Sequence, residues 1–238
     1  MSRPRLALLI GAHEPAATRR NFRRELDAVL VEYHLPDGDI PERFDVDGAV
    51  ITGSRASVYW DEHWIEPTKQ WVGDAVDRDV PFLGVCYGHQ LLADVLGGTV
   101  EGMGEDEIGY RTVEHAGSPL FEGVDEEFTV FTTHSDRVVE LPPGAEPIAA
   151  NDYGNHGFRK GHVFGVQFHP EYDTDTAESV TKNKDDQLTE ERIEGVLDGI
   201  TPENYRAACE AKGVFGNFVE YVRRHREESG DTAAAASD

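Results

Sequence analysis

Three short apolar runs, each closed by glycine or by a polar turn, constrain this chain more than anything else in it. Leu6-Ala7-Leu8-Leu9-Ile10 ends at Gly11, Val46 to Ile51 ends at Thr52-Gly53-Ser54, and Val80-Pro81-Phe82-Leu83-Gly84-Val85 ends at Cys86. Uninterrupted apolar runs of this length read as strands buried on both faces, the habit of parallel sheets. The segments between them have helical spacing. Phe22, Leu26, Val29, Leu30 and Tyr33 recur at threes and fours, which predicts a helix over 18–33. Trp64 to Asp77 and Gln90 to Leu96 have the same character. Strand alternating with helix over the first 100 residues predicts a doubly wound α/β sheet flanked by helices.

The pattern then changes. Thr112 to Glu114, Phe128 to Thr132, Arg137 to Val139, Glu146 to Ala150 and His162 to Phe168 are short alternating stretches, predicting a smaller antiparallel or mixed element. Asn151 to Lys160, with Gly154, Asn155 and Gly157, reads as a hairpin-type turn. Residues 173–212 are dense in charge and read as a variable helical insertion that caps the site, forms an interface or packs as an appended helical pair. Within it Thr201-Pro202-Glu203 is a helix start, with Thr as N-cap and Pro at the first helical position. Phe215 to His225 predicts a terminal helix, and 229–238 a frayed tail. No repeat or linker divides the chain, so 1–228 is expected to form one domain.

Charge narrows the classes of partner. The chain has 238 residues, 46 acidic and 22 basic, for a formal charge of −24. Such a surface repels nucleic-acid phosphates and anionic lipid, so neither is an expected partner. The basic residues are 17 Arg and 5 Lys. Acidic surfaces poor in lysine suit molar salt, where screening acts within about 3 Å, and predict a halophilic protein. Two cysteines, Cys86 and Cys209, make no disulfide framework and fit a reducing cytoplasm. The run 6–10 is too short for a signal peptide, and no segment reaches the ~20 apolar residues of a membrane span.

Two motifs carry chemistry. In Gly84-Val85-Cys86-Tyr87-Gly88 a cysteine ends an apolar strand, opens a helix and has glycine two residues away on each side. This is a nucleophile elbow with sulfur for oxygen. A strained strand-to-helix turn pushes the side chain into a cleft, the helix N-terminus favours thiolate, and the Tyr87 N–H faces a developing oxyanion. In Gly165-Val166-Gln167-Phe168-His169-Pro170-Glu171 a second strand ends in a histidine and a carboxylate two residues apart, which project to one side of an extended segment. A thiol nucleophile needs such a base and such an orienting acid. The remaining candidates are weaker: His13-Glu14 has no third metal ligand at suitable spacing, His89 reads as a packing residue, and Cys209 sits among alanines as inert core. No Gly-x-x-x-x-Gly-Lys motif marks an ATP site, and no metal or other cofactor is expected.

On these residues, with Ile108-Gly109-Tyr110 and Thr133-His134-Ser135-Asp136, the chain resembles the class I (triad-type) glutamine amidotransferases, nearest the stand-alone enzymes related to the glutaminase part of GMP synthase. The resemblance implies a flavodoxin-like fold and a Cys86–His169–Glu171 triad. The triad would cleave the glutamine side-chain amide through a γ-glutamyl thioester to glutamate and ammonia. It implies an oxyanion hole from Tyr87 and from the loop after the second strand. There this chain has Thr52-Gly53-Ser54-Arg55 where the family usually carries Gly-Gly-Pro or Gly-Pro-Gly. By position Ser54 is the donor and Gly53 gives the turn; the loop is either preformed or flips into place. Gln90, His134, Ser135 and Asp136 are implied to hold the substrate. Either ammonia would pass to a separate synthase subunit, or the chain works alone on glutamine or a γ-glutamyl compound. The alternatives are a γ-glutamyl peptide hydrolase with the same triad and a catalytically silent regulatory subunit.

Overall fold

In the computed structural model, which describes residues 2–235, the first 100 residues follow the predicted alternation with one correction. Strand β1 (Arg5–Ile10) is followed by helix α1 (Pro15–Glu25), but the chain then leaves the helix and forms β2 (Val29–His34). Leu26, at the end of α1, is already extended, with φ −97° and ψ 109°. The helical spacing that runs on to Tyr33 is therefore coincidental. Val29-Leu30-Val31 is β-branched at alternate positions and pairs in parallel register with β1, Arg5 opposite Val29. Strand β3 (Gly48–Ile51), helix α2 (Ile65–Val76), strand β4 (Phe82–Val85) and helix α3 (Tyr87–Val95) complete this half.

Beyond Gly98 the first two strands are longer than predicted, and the last is shorter. β5 (Thr99–His115) and β6 (Glu127–Glu140) form one long antiparallel pair, so the two stretches 128–132 and 137–139 are parts of a single strand. β7 (Glu146–Asn151) and β8 (Gly154–Lys160) form a hairpin whose turn is only Asp152-Tyr153, and β9 (Val163–Val166) follows. The helices α4 (Thr174–Lys182), α5 (Glu190–Asp198), α6 (Pro202–Ala208) and α7 (Gly213–Ala235) close the chain. Thr201 caps α6 as predicted, accepting from the Asn204 N–H at 3.2 Å. Helix α7 continues through an alanine-rich run to Ala235, where a frayed tail from 229 is expected; residues 236–238 lie outside the described residues. Among the described residues no helix is long and apolar enough to cross a membrane.

The strands join in one nine-stranded sheet among the described residues, in the order β2-β1-β3-β4-β9-β8-β7-β5-β6. The first five are parallel and have the flavodoxin-like order, with β9 as the fifth strand. The other four continue the sheet antiparallel. Period-two alternation sorts the core. Leu6, Leu8, Ile10, Val50, Leu83, Val85, Phe164 and Val166 pack with Phe22 of α1 and with Phe215, Phe218 and Val222 of α7. Ala7, Leu9, Ala49, Ile51 and Phe82 pack on the other face with Trp71 and Val72 of α2 and Leu91 and Leu92 of α3. A third, smaller cluster joins Ile108 and Phe131 of β5–β6 to Ala177 of α4 and Val196 of α5. The charged insertion is thus seated on the antiparallel half.

Candidate active site

Cys86 stands between β4 and α3 with φ 53° and ψ −103°, a conformation that L side chains rarely adopt. Backbone bonds hold it there: its N–H donates to Val166 O of β9 at 2.8 Å, and its carbonyl accepts from Gln90 N–H at 3.1 Å. The flanking glycines are required by space. A Cβ on Gly84 would lie 2.4 Å from the Gly88 backbone, and one on Gly88 would lie 2.3 Å from Ile51 O. The first turn of α3 therefore presses directly on β3 and β4. Its Tyr87 N–H has no intrahelical partner, and the Tyr87 ring is buried against Trp64 at 5.5 Å.

His169 arrives from β9 and is fixed on several sides. Its backbone N–H donates to Phe131 O of β6 at 2.9 Å, and its Nδ1 lies 2.8 Å from Glu171 Oε1. Both side chains are buried. Burial opposes a charge on the His169 imidazole, but Glu171 on one side and the Cys86 sulfur on the other outweigh it and raise its pKa well above the usual range. The structure therefore brings Cys86, His169 and Glu171 together. The Cys86 sulfur also approaches Thr133 O of β6 at 3.8 Å.

The loop after β3 abuts the same place. A Cβ on Gly53 would lie 2.8 Å from His169 Cε1 and 3.7 Å from Cys86 Cβ. The Thr52 hydroxyl accepts from Gly11 N–H at 3.1 Å and donates to Gly53 O at 3.1 Å. In a trans peptide this turns the Ser54 N–H away from Thr52. The Ser54 hydroxyl accepts from Ala56 N–H at 3.1 Å, which tightens the turn.

The four residues expected to hold substrate are placed less simply. Thr133 to Asp136 lie within β6, not in a loop, so alternate side chains face opposite ways. Ser135 is exposed and lines an open cleft of about 680 Å³ with Gly102, Tyr153 and Arg192. His134 and Asp136 are buried. Asp136 accepts from the Ser57 hydroxyl and, at 3.0 Å, from Tyr59 OH, tying the loop after β3 to β6. The Gln90 amide nitrogen donates to Asp136 O at 3.0 Å and Gln167 Oε1 at 3.1 Å. His134 turns into a buried group with Glu107 and His156. Burial opposes the Glu107 charge, but the two imidazoles beside it hold its carboxyl well below the usual carboxylate range.

Other residues of the site escape sequence reasoning. Tyr172 stacks on the His169 ring at 4.1 Å and 19°, and itself rests on Phe131. Burial first, then the nearby Glu171 and Cys86, push its phenol well above the usual range. Arg55 donates to Asn183 O at the end of α4, joining the loop after β3 to the insertion. The signal for Tyr172 was its place directly after His-Pro-Glu. His89 is fully buried beside Phe158, and burial lowers its pKa to about 3, so it is a neutral packing imidazole. His13 is exposed, and Cys209 is half-buried at the end of α6.

Residues 16–186 match the family model for glutamine amidotransferase class-I. Among curated proteins, the GMP synthase [glutamine-hydrolyzing] of Staphylococcus aureus (strain MSSA476) is 33% identical over 213 residues, 85% of this chain and 36% of that protein. That of Helicobacter pylori (strain G27) is 40% identical over 126 residues, 52% of this chain and 24% of that protein. The chain thus corresponds to about a quarter to a third of the length of these relatives. A solved glutamine amidotransferase from Thermotoga maritima is 25% identical and superposes with a TM-score of 0.78, covering 92% of this chain and all of that one. A solved glutamine amidotransferase from Methylobacillus flagellatus shares the fold at a TM-score of 0.76 and 20% identity, covering 92% of this chain and 95% of that one.

Proposed function

This chain belongs to the class-I glutamine amidotransferase family, and from that premise we propose that it hydrolyses the side-chain amide of glutamine with Cys86, His169 and Glu171. Glu171 holds the proton of His169 on Nδ1 and leaves Nε2 for the thiol. The Cys86 thiolate attacks the amide carbon, and His169 gives the abstracted proton to the departing ammonia. A γ-glutamyl thioester remains, and water activated by His169 cleaves it to glutamate. Tyr87 N–H and Ser54 N–H donate to the oxyanion of each tetrahedral intermediate; losing one such donor typically costs about 2.7–4 kcal/mol of barrier. The observation that carries this reading is the 2.8 Å His169–Glu171 contact beside a cysteine held at φ 53°. The Thr52 hydroxyl on Gly53 O supports a loop already oriented for the second donor. The curated relatives are GMP synthases, so the ammonia is proposed to pass to a synthase that activates its acceptor.

A second reading has the same three residues cleave a γ-glutamyl compound larger than glutamine. Release of ammonia and glutamate from glutamine, measured in molar salt to suit the −24 charge, tests the first reading. We expect the Cys86→Ala chain to lose at least about 10⁴-fold. Hydrolysis of γ-glutamyl peptides in place of glutamine would move the assignment to the second. Failure of a glutamine-analogue electrophile to label Cys86, with no turnover of either substrate, would overturn both and leave a silent regulatory chain.

A further inference from the structure

Apart from the triad, a second group of titratable side chains is buried in one place and comes from separate elements. Glu107 of β5 and His89 of α3 are fully buried, His156 of β8 is 1% exposed and His134 of β6 is 6% exposed. Glu107 Oε2 lies 2.8 Å from His134 Nε2 and 3.0 Å from His156 Nε2. The partner of His134 Nδ1 is Asp136 O at 2.9 Å, which can only accept, so Nδ1 carries a proton and Nε2 is presented to Glu107. The other oxygen of Glu107 accepts from Asn151 Nδ2 at 2.7 Å. Imidazoles that bind metal characteristically donate their far N–H to a carbonyl, and carboxylates that bind metal are themselves hydrogen-bonded.

A shared proton satisfies this group only in part. His156 Nδ1 and Gln167 Nε2 are buried without a partner, and neither nitrogen of His89 has a side-chain partner among the described residues. Gly165 lacks the side chain that would meet the His89 ring, since a Cβ there would lie 2.7 Å from Nδ1. One carboxylate oxygen thus meets two imidazole nitrogens at a single buried point, an arrangement that a shared cation would also satisfy.

We propose that Glu107, His134 and His156 bind one divalent transition-metal ion of the zinc type, through three ligand atoms that lie within 4.8 Å of one another. Two imidazoles and a carboxylate suit zinc or cobalt better than the hard cations magnesium and calcium. The ion would be structural. It would pin β5, β6 and β8 together behind Thr133, whose carbonyl meets the Cys86 sulfur.

The test uses the full Cys86→Ala chain, so that the thiol is no ligand, freed of metal by a chelator. It is titrated with Zn²⁺ in molar NaCl and excess Mg²⁺, which occupies the acidic surface. We expect one equivalent of zinc to survive gel filtration. Tm should rise by roughly 5–10 °C when the ion is about 100-fold above its Kd. Cys86→Ala/His156→Phe should lose both, because its ring can keep the stack on Phe168 that His156 makes but cannot ligate. X-ray absorption at the zinc edge of the Cys86→Ala chain gives a readout that needs no further variant to fold, and should show two imidazoles and no sulfur. No retained zinc, equal retention by the His156→Phe chain, or a site with fewer than two imidazoles would overturn the proposal and leave a proton-sharing network only.

Discussion

The parallel and antiparallel halves of the sheet reach the candidate active site in different ways. β3, β4 and β9 are adjacent parallel strands, and their C-terminal ends deliver Thr52-Gly53-Ser54, Cys86 and His169 to one edge. β6 meets the same site from mid-strand, with main-chain carbonyls: Phe131 O takes the His169 N–H and Thr133 O faces the Cys86 sulfur. Parallel strands all open their loops at one end, so reacting groups collect there. An antiparallel strand running past that end supplies backbone and support. Side-chain identity should therefore matter greatly at the parallel ends and little at Thr133.

After the nucleophile itself, the largest effect is expected at Glu171. Glu171→Gln should lower glutaminase activity by about 10²–10⁴-fold, because the carboxylate no longer fixes the tautomer or supports the imidazolium. Glu171 raises the His169 pKa, so its loss lowers it, and an NMR titration of the imidazole should move toward acid. An unmoved titration would place the acid outside the triad. The same sign fixes the linkage: a raised folded-state value stabilises the fold below the unfolded histidine pKa, and this is lost as pH rises through the folded value.

Next comes Gly88→Ala. The new methyl would meet Ile51 O at 2.3 Å, and we expect a loss of about 1–3 kcal/mol in denaturant unfolding together with lost Cys86 labelling. Full labelling in a destabilised chain would show that the elbow does not depend on this contact. Tyr172→Leu should cost about 10-fold in rate and move the pH profile, whereas Tyr172→Phe, which keeps the stacked ring, should stay close to wild type. A flat profile in the leucine variant would reduce Tyr172 to packing. Thr133→Val is the smallest change. The Thr133 hydroxyl is buried and unpartnered, so activity should stay within about threefold and stability should hold or rise slightly. A large loss in kcat/KM would break the distinction between the two halves by giving Thr133, whose carbonyl meets the Cys86 sulfur, a side-chain role as well.

Legibility followed the same division. The elbow could be read because each of its requirements is local: an apolar strand, glycines two residues to either side, and a helix after the cysteine. His-Pro-Glu was legible for a similar reason, since two residues apart on an extended segment face one way. The strand Val29–His34 was read as helix because Leu26, Val29, Leu30 and Tyr33 continue a helical spacing and no glycine or proline marks the break. In the antiparallel half, Thr133 to Asp136 could be found but not oriented, since only the strand register decides that His134 and Asp136 face inward. Glu107 and His156 are 49 residues apart in sequence, and nothing local joins them.

By itself, then, the sequence determined the alternation of strand and helix, the strained cysteine turn and the paired base and acid, because neighbouring residues enforce them through backbone geometry and close packing. The tertiary structure alone decided that β9 lies beside β4, which brings His169 to Cys86. It also decided that Tyr172 covers the imidazole, that Arg55 ties the loop after β3 to the insertion, and that three distant side chains share one buried position. Those outcomes depend on strand order and register, which are settled by burying two faces of one sheet at once.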